Sequence, residues 1–177
     1  MQRKMHLTAK MKNKTVIYLE KGNKDNSALL KRRAVQDYFG SATLDTKENG
    51  KPVITQPEGY GISVSHSGGI IAVVITRGEV GIDIEERVDR DNSRLFSFFH
   101  ESEKNCDFYD LWVKKEAFGK MTGEGIFKQK GKKLDTDSCF IDISREISLF
   151  SGKEFSAVLC LPKDTETLEY IIDNGTL

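Results

Sequence analysis

Residues 15–20, Thr-Val-Ile-Tyr-Leu-Glu, form a short β-branched and apolar run that predicts a strand. The spacing then changes to that of a helix over 26–39, with Leu29, Leu30, Ala34 and Phe39 on the inner face, Asn26 or Ser27 as cap and Gly40 as stop. Residues 41–60 hold two of the three prolines and several turn formers, and read as a loop. Three strand-like runs follow at 61–65, 70–76 and 80–85. Gly68-Gly69 and Arg77-Gly78-Glu79 separate them, which favours an antiparallel meander. Helical spacing returns at 91–99 and at 107–121, where Gly119 weakens the longer helix and Gly123 ends it. Runs at 138–144, 154–161 and 167–172 predict strands of a second sheet. The order is strand-helix-strands, then helices-strands, an α+β pattern joined near residues 85–91.

Two segments carry polar residues where the pattern makes them share a face. In Gly81-Ile82-Asp83-Ile84-Glu85 the strand alternation projects Asp83 and Glu85 from one side, about 7 Å apart along the chain. In Trp112-Val-Lys-Lys-Glu-Ala-Phe-Gly-Lys120, helical spacing puts Trp112, Glu116 and Lys120 on one stripe. Each has an ordinary reading: Glu116 and Lys120 as a surface helix pair, Asp83 and Glu85 as the wet face of a half-buried strand. A third constellation, Ser65-His66-Ser67-Gly68-Gly69, stands between two strand-like runs and makes coincidence a weaker account. Together the carboxylates Asp83, Glu85 and Glu116 form an all-oxygen set suited to Mg2+ beside phosphate.

Composition narrows the alternatives. Hydrophobic residues make up 38% and charged residues 31% of 177, the make-up of a globular protein with room for a sizeable core. The longest apolar stretch, residues 70–75, is far short of the roughly 20 needed to span a bilayer, so no membrane role is expected. Net charge is zero, which gives no reason to expect nucleic-acid binding. Residues 1–14 hold five basic residues and no acid. They read as a basic, disordered tail without the apolar core of a secretory signal, and Met11 is an alternative start. Cys106, Cys139 and Cys160 are odd in number and widely spaced; with three histidines they fit a reducing cytoplasm better than a zinc site.

Four segments in order, Gly50-Lys51-Pro52, Ile62 to Ser67, Val80 to Glu85 and Trp112 to Lys120, resemble the 4'-phosphopantetheinyl transferases of the surfactin-synthetase-activating type. The last is the most specific, because Trp-x-x-Lys-Glu-Ala-x-x-Lys is met at every fixed position. The resemblance covers about residues 50–120. It implies a pseudo-dimer of two similar α+β halves, each with an antiparallel sheet and a packed helix, here 15–86 and 87–177. No sequence repeat between the halves is evident. The chain is short for that type, mainly in its first half.

The resemblance also implies a reaction: transfer of the phosphopantetheine arm of coenzyme A to a serine of an apo acyl or peptidyl carrier protein, releasing 3',5'-ADP. Asp83, Glu85 and Glu116 are then the metal ligands. Glu116 is also the base for the serine hydroxyl, and Lys120 faces the pyrophosphate. Ser65 and His66 are expected at coenzyme A phosphates and Lys51 at the nucleotide. Lys115 either braces Trp112 or reaches a phosphate, and Arg33, within Lys31-Arg32-Arg33, is a weaker candidate for the 3'-phosphate. Trp112 reads as core packing. The lysine-rich 128–133 reads as a solvated turn or as a means of steering an acidic carrier. A monomer is expected. Two other functions fit the same residues, a coenzyme A-binding protein without turnover and a magnesium-dependent phosphatase or nucleotide hydrolase, although the phosphate loop Gly-x-x-x-x-Gly-Lys-Ser/Thr is absent.

Overall fold

A computed structural model describes residues 14–134, 137–163, 165 and 170–173. The fold is α+β. Its first sheet has the order β4-β5-β1-β9, formed by β1 (Thr15–Lys21), β4 (Tyr60–Ser67), β5 (Ile70–Arg77) and β9 (Tyr170–Asp173). Its second has the order β6-β8-β7, formed by β6 (Gly81–Glu86), β7 (Cys139–Asp142) and β8 (Phe155–Leu161). A separate pair, β2 (Thr43–Thr46) and β3 (Pro52–Gln56), forms a hairpin. The helices are α1 (Ser27–Phe39), α2 (Phe108–Thr122) and α3 (Ser144–Ser151).

Strand β5 explains the layering. Its unbroken apolar run is buried on both faces: Ile70, Ala72 and Val74 enter a core shared with Ile82 and Ile84 of β6 and Leu159 of β8, while Ile71, Val73 and Ile75 pack with Leu30, Ala34 and Tyr38 of α1. The far face of the second sheet is covered by α2, whose Val113, Ala117 and Met121 meet Val158 and Cys160. The layers are therefore α1, first sheet, second sheet, α2. On β6, Ile82 and Ile84 face the first sheet and Asp83 and Glu85 face α2, as the alternation predicts.

Several sequence expectations need correction. Residues 41–60 are not a plain loop, because β2 and β3 pair around a turn at 47–50 in which Gly50 has φ +83°. The three strands from 61 to 85 are not one meander. β4 and β5 pair, but β6 leaves for the second sheet and pairs antiparallel with β8. Gly61 allows the chain to cross there, since a Cβ would lie 2.2 Å from the Gly78 carbonyl oxygen. The last strand, expected in the second sheet, pairs parallel with β1. Residues 93–98 form a 3-10 rather than an α-helix. Helix α3 was not foreseen; Asp142 Oδ1 accepts from the Ser144 amide at 2.8 Å and starts it where a strand was expected to run on to 144.

Candidate active site

The free edges of the two sheets meet. Every second residue of β4 from 63 to 67 is a serine turned toward β6, and each hydroxyl accepts a β6 amide: Ile82 N to Ser63 at 3.2 Å, Ile84 N to Ser65 at 3.3 Å, Glu86 N to Ser67 at 3.1 Å. Side chains thus take the place of a backbone ladder and satisfy an edge that would otherwise be exposed. Two of these hydroxyls also donate to the acids, Ser65 to Asp83 Oδ1 at 2.8 Å and Ser67 to Glu85 Oε2 at 2.9 Å. Sequence reasoning assigned only Ser65 a role. The signal it passed over was the period-two spacing of Ser63, Ser65 and Ser67, which puts three hydroxyls on one strand face.

Helix α2 closes the other side. Asp107 caps it by accepting from the Asp110 amide at 3.0 Å, and Gly123 ends it in the left-handed conformation at φ +76°. It lies so near β6 that a Cβ on Gly81 would sit 1.8 Å from the Ala117 carbonyl oxygen. At the opposite end Arg87, just past β6, pairs with Asp107 at 2.5 Å and Asp110 at 2.9 Å and bonds Ser156 Oγ at 2.6 Å. Close approach at one end and a charged clamp at the other set the helix across the strand. Neither Gly81 nor Arg87 was foreseen in this part.

The result brings Asp83, Glu85, Glu116 and Lys120 together. Lys120 Nζ stands 2.7 Å from Asp83 Oδ1 and 3.0 Å from Ser65 Oγ. Asp83 is buried, and its second oxygen, Oδ2, is buried with no hydrogen-bond partner. Burial, reinforced by Asp83 and Glu85 and opposed by Lys120, pushes the Glu116 carboxyl up to about 7. Burial foremost, with Asp83 adding, also raises Glu85, against the Ser67 hydrogen bond. These acids repel one another in a poorly hydrated place. Among the described residues, no three His, Cys, Asp or Glu side chains are gathered closely enough to hold a metal ion as they stand.

The remaining candidates lie apart from this cluster. Lys115, on the other side of α2, is buried and pairs with Glu103 at 2.9 Å while donating to the Lys132 carbonyl at 2.6 Å. Lys51 donates to the Met121 carbonyl at 2.5 Å and, with Asn49 on the Gly123 carbonyl at 2.7 Å, fastens the β2–β3 turn to the negative end of α2. Arg33 pairs with Glu20 on β1 at 2.6 Å. Trp112 stacks on Phe108 and meets Phe98 edge-on. His66 is exposed and lines a cavity of about 180 Å3 with Asn23, Lys24, Ser67 and Gly68; a second, of about 240 Å3, is lined by Lys51, Ile54, Tyr60 and Val80. Neither cavity encloses the carboxylates, but Ser67, bonded to Glu85, borders the first.

An α+β chain with an acidic, lysine-faced cluster between a strand edge and a helix is the class these observations define. Residues 79–161 match the 4'-phosphopantetheinyl transferase superfamily. It is similar to the 4'-phosphopantetheinyl transferase psf-1 of Bacillus pumilus, 37% identical over 94 residues, which are 47% of this chain and 40% of that protein. It is also similar to AcpT of Salmonella typhi, 34% identical over 90 residues (43% and 47%), and to ffp of Bacillus subtilis, 31% over 94 residues (47% and 42%); both are 4'-phosphopantetheinyl transferases. The chain spans less than half the length of these relatives. Among the described residues no helix is long and apolar enough to cross a membrane.

Proposed function

We propose that this protein is a magnesium-dependent 4'-phosphopantetheinyl transferase acting on a serine of an apo acyl or peptidyl carrier protein. The observation that carries the reading is the meeting of Asp83, Glu85, Glu116 and Lys120 at one face, inside the segment matched to the superfamily. The donor set fits a hard cation: all its ligand atoms are carboxylate oxygens, one of them a buried oxygen without a partner, and two of the acids are raised by burial and mutual repulsion. Asp83, Glu85 and Glu116 would hold Mg2+, which when bound gathers pyrophosphate oxygens and stabilises their charge.

The chain's own residues do the rest. Glu116, ionised, takes the proton of the carrier serine as its oxygen bonds to the phosphorus nearer the pantetheine, and the bond from that phosphorus to the bridging oxygen of 3',5'-ADP breaks. Lys120, held by Asp83 and Ser65, offers its ammonium to the pyrophosphate and neutralises the leaving group. Ser65 and Ser67 keep Asp83 and Glu85 in place, and His66 lines an open cavity suited to coenzyme A phosphates. Two sheet-and-helix units in one chain support the same reading, in which two similar halves form the site without a second subunit.

Intact-protein mass spectrometry of an apo carrier incubated with this protein, coenzyme A and magnesium tests the proposal. A gain of one phosphopantetheine, abolished by a chelator, is expected. No gain despite coenzyme A binding would favour a binding protein without turnover, and phosphate release in the absence of any carrier would favour a hydrolase.

A further inference from the structure

We propose, on the transferase reading, that the acceptor protein docks on an aromatic ridge formed by Trp112, Phe98 and Phe127 and flanked by Lys128 and Lys130, and that this acceptor presents an apolar side chain ringed by carboxylates. The ridge starts at the reactive stripe: Trp112 precedes Glu116 by one helical turn, about 6 Å along the axis. Phe98 meets the Trp112 ring at 5.7 Å between centroids, and Phe127 meets Phe98 at 5.7 Å. Phe127 is 80% exposed at the end of that chain of rings. An exposed phenyl ring continuous with two half-buried rings has the make-up of a binding anchor.

The segment presenting Phe127 is held firmly from beneath. Lys115, buried and paired with Glu103, donates to the Lys132 carbonyl at 2.6 Å. The Gly131 amide donates to the Phe98 carbonyl at 3.1 Å, and the buried Gln129 donates to Glu124 at 3.1 Å. A segment this well tied keeps Phe127 in water at an energetic cost. Here the Lys-Glu-Ala motif's second buried charge has a use: Lys115 supports the docking segment while Glu116 and Lys120 on the same helix face the reaction.

Charge selects the occupant. Lys128, Lys130, Lys132 and Lys133 are all exposed, and residues 128–134 contain no acid. Lys130 Nζ lies 5.7 Å above the Phe98 ring, so a cation already borders the apolar surface. An acidic partner with an apolar centre complements this ridge and brings its serine to the Glu116 end.

The test compares wild type with Phe127→Ser and with Lys128→Glu/Lys130→Glu, both exposed changes that leave the core untouched. Binding of an apo carrier protein is measured by calorimetry without coenzyme A, and transfer rates are measured with carrier and coenzyme A varied separately. Carrier affinity and apparent KM for carrier should worsen by ~10-fold or more in each variant, the scale of an anchor residue, with KM for coenzyme A unchanged. Raising salt should weaken carrier binding by wild type and have less effect on the double charge reversal. Carrier affinity equal to wild type in both variants would overturn the proposal. So would a wild-type dimer that Phe127→Ser dissolves without any change in carrier affinity. Carrier binding that depends on Phe127 but leads to no transfer would sustain the docking surface and remove the transferase reading.

Discussion

Helix α2 carries two ammonium–carboxylate pairings on opposite sides, and they are built to opposite ends. On one side Glu103 is closed: it accepts from Lys115 at 2.9 Å, from the Leu134 amide at 2.6 Å and from the His100 amide at 3.0 Å. Burial alone would raise its carboxyl, but these donors outweigh burial and hold it below the ordinary range. On the other side Asp83 shares one oxygen with Lys120 and Ser65 and leaves the other without a partner, and Glu116 is pushed up to about 7. A carboxylate with donors on both oxygens is architecture. A charge left unanswered in a sheltered place is available for a ligand.

The sharpest way to break this contrast is to neutralise one acid on each side. Glu116→Gln should lower the rate of phosphopantetheine transfer by about 10²–10⁴-fold, the range of a positioned base, while the protein remains folded. Full turnover in that variant would remove Glu116 from the reaction. Lys115→Met should do the reverse. Removing one partner of a buried pair costs about 3–5 kcal/mol, read as a lower midpoint in chemical denaturation, while coenzyme A affinity of the folded fraction is retained. A stability equal to wild type would show that the Glu103 side is not structural.

The smallest expected effect is a slope with pH. The Glu116 carboxyl is raised from 4.5 to about 7, so folding favours its neutral form. Its contribution to stability is then complete below 4.5 and is lost as pH rises through about 7. Metal-free wild type should lose ground to Glu116→Gln across that interval, checked by unfolding temperature at several pH values. A constant difference between the two proteins would mean that Glu116 is no more hindered than an ordinary surface acid.

Much of this site was legible in the chain because periodicity reports faces. The alternation of Ile82, Asp83, Ile84 and Glu85 and the stripe of Trp112, Glu116 and Lys120 each specify which side chains point together, and the structure agrees. Periodicity does not report partners. β6 has the pattern of a strand wherever it pairs, so its departure from β5 to β8 left no trace in spacing. Lys115 illustrates the same limit: one residue before Glu116, it faces another environment, and its partner Glu103 lies in a 3-10 segment with no periodic signature. The β2–β3 hairpin and α3 were hidden by brevity, since elements of four to eight residues carry too few apolar positions to define a period.

The serine seam between β4 and β6 makes alignment of the sheets and readiness of the acids a single event. Ser65 and Ser67 grip β6 amides and its carboxylates with the same hydroxyl oxygens, so Asp83 and Glu85 come under control only when the two sheets are in register. A slip by one residue would present Val64 and His66 instead, leaving the amides without acceptors and the acids without restraint. The join therefore works as a keyed lock on assembly: a chain that closes wrongly gains no partially armed site.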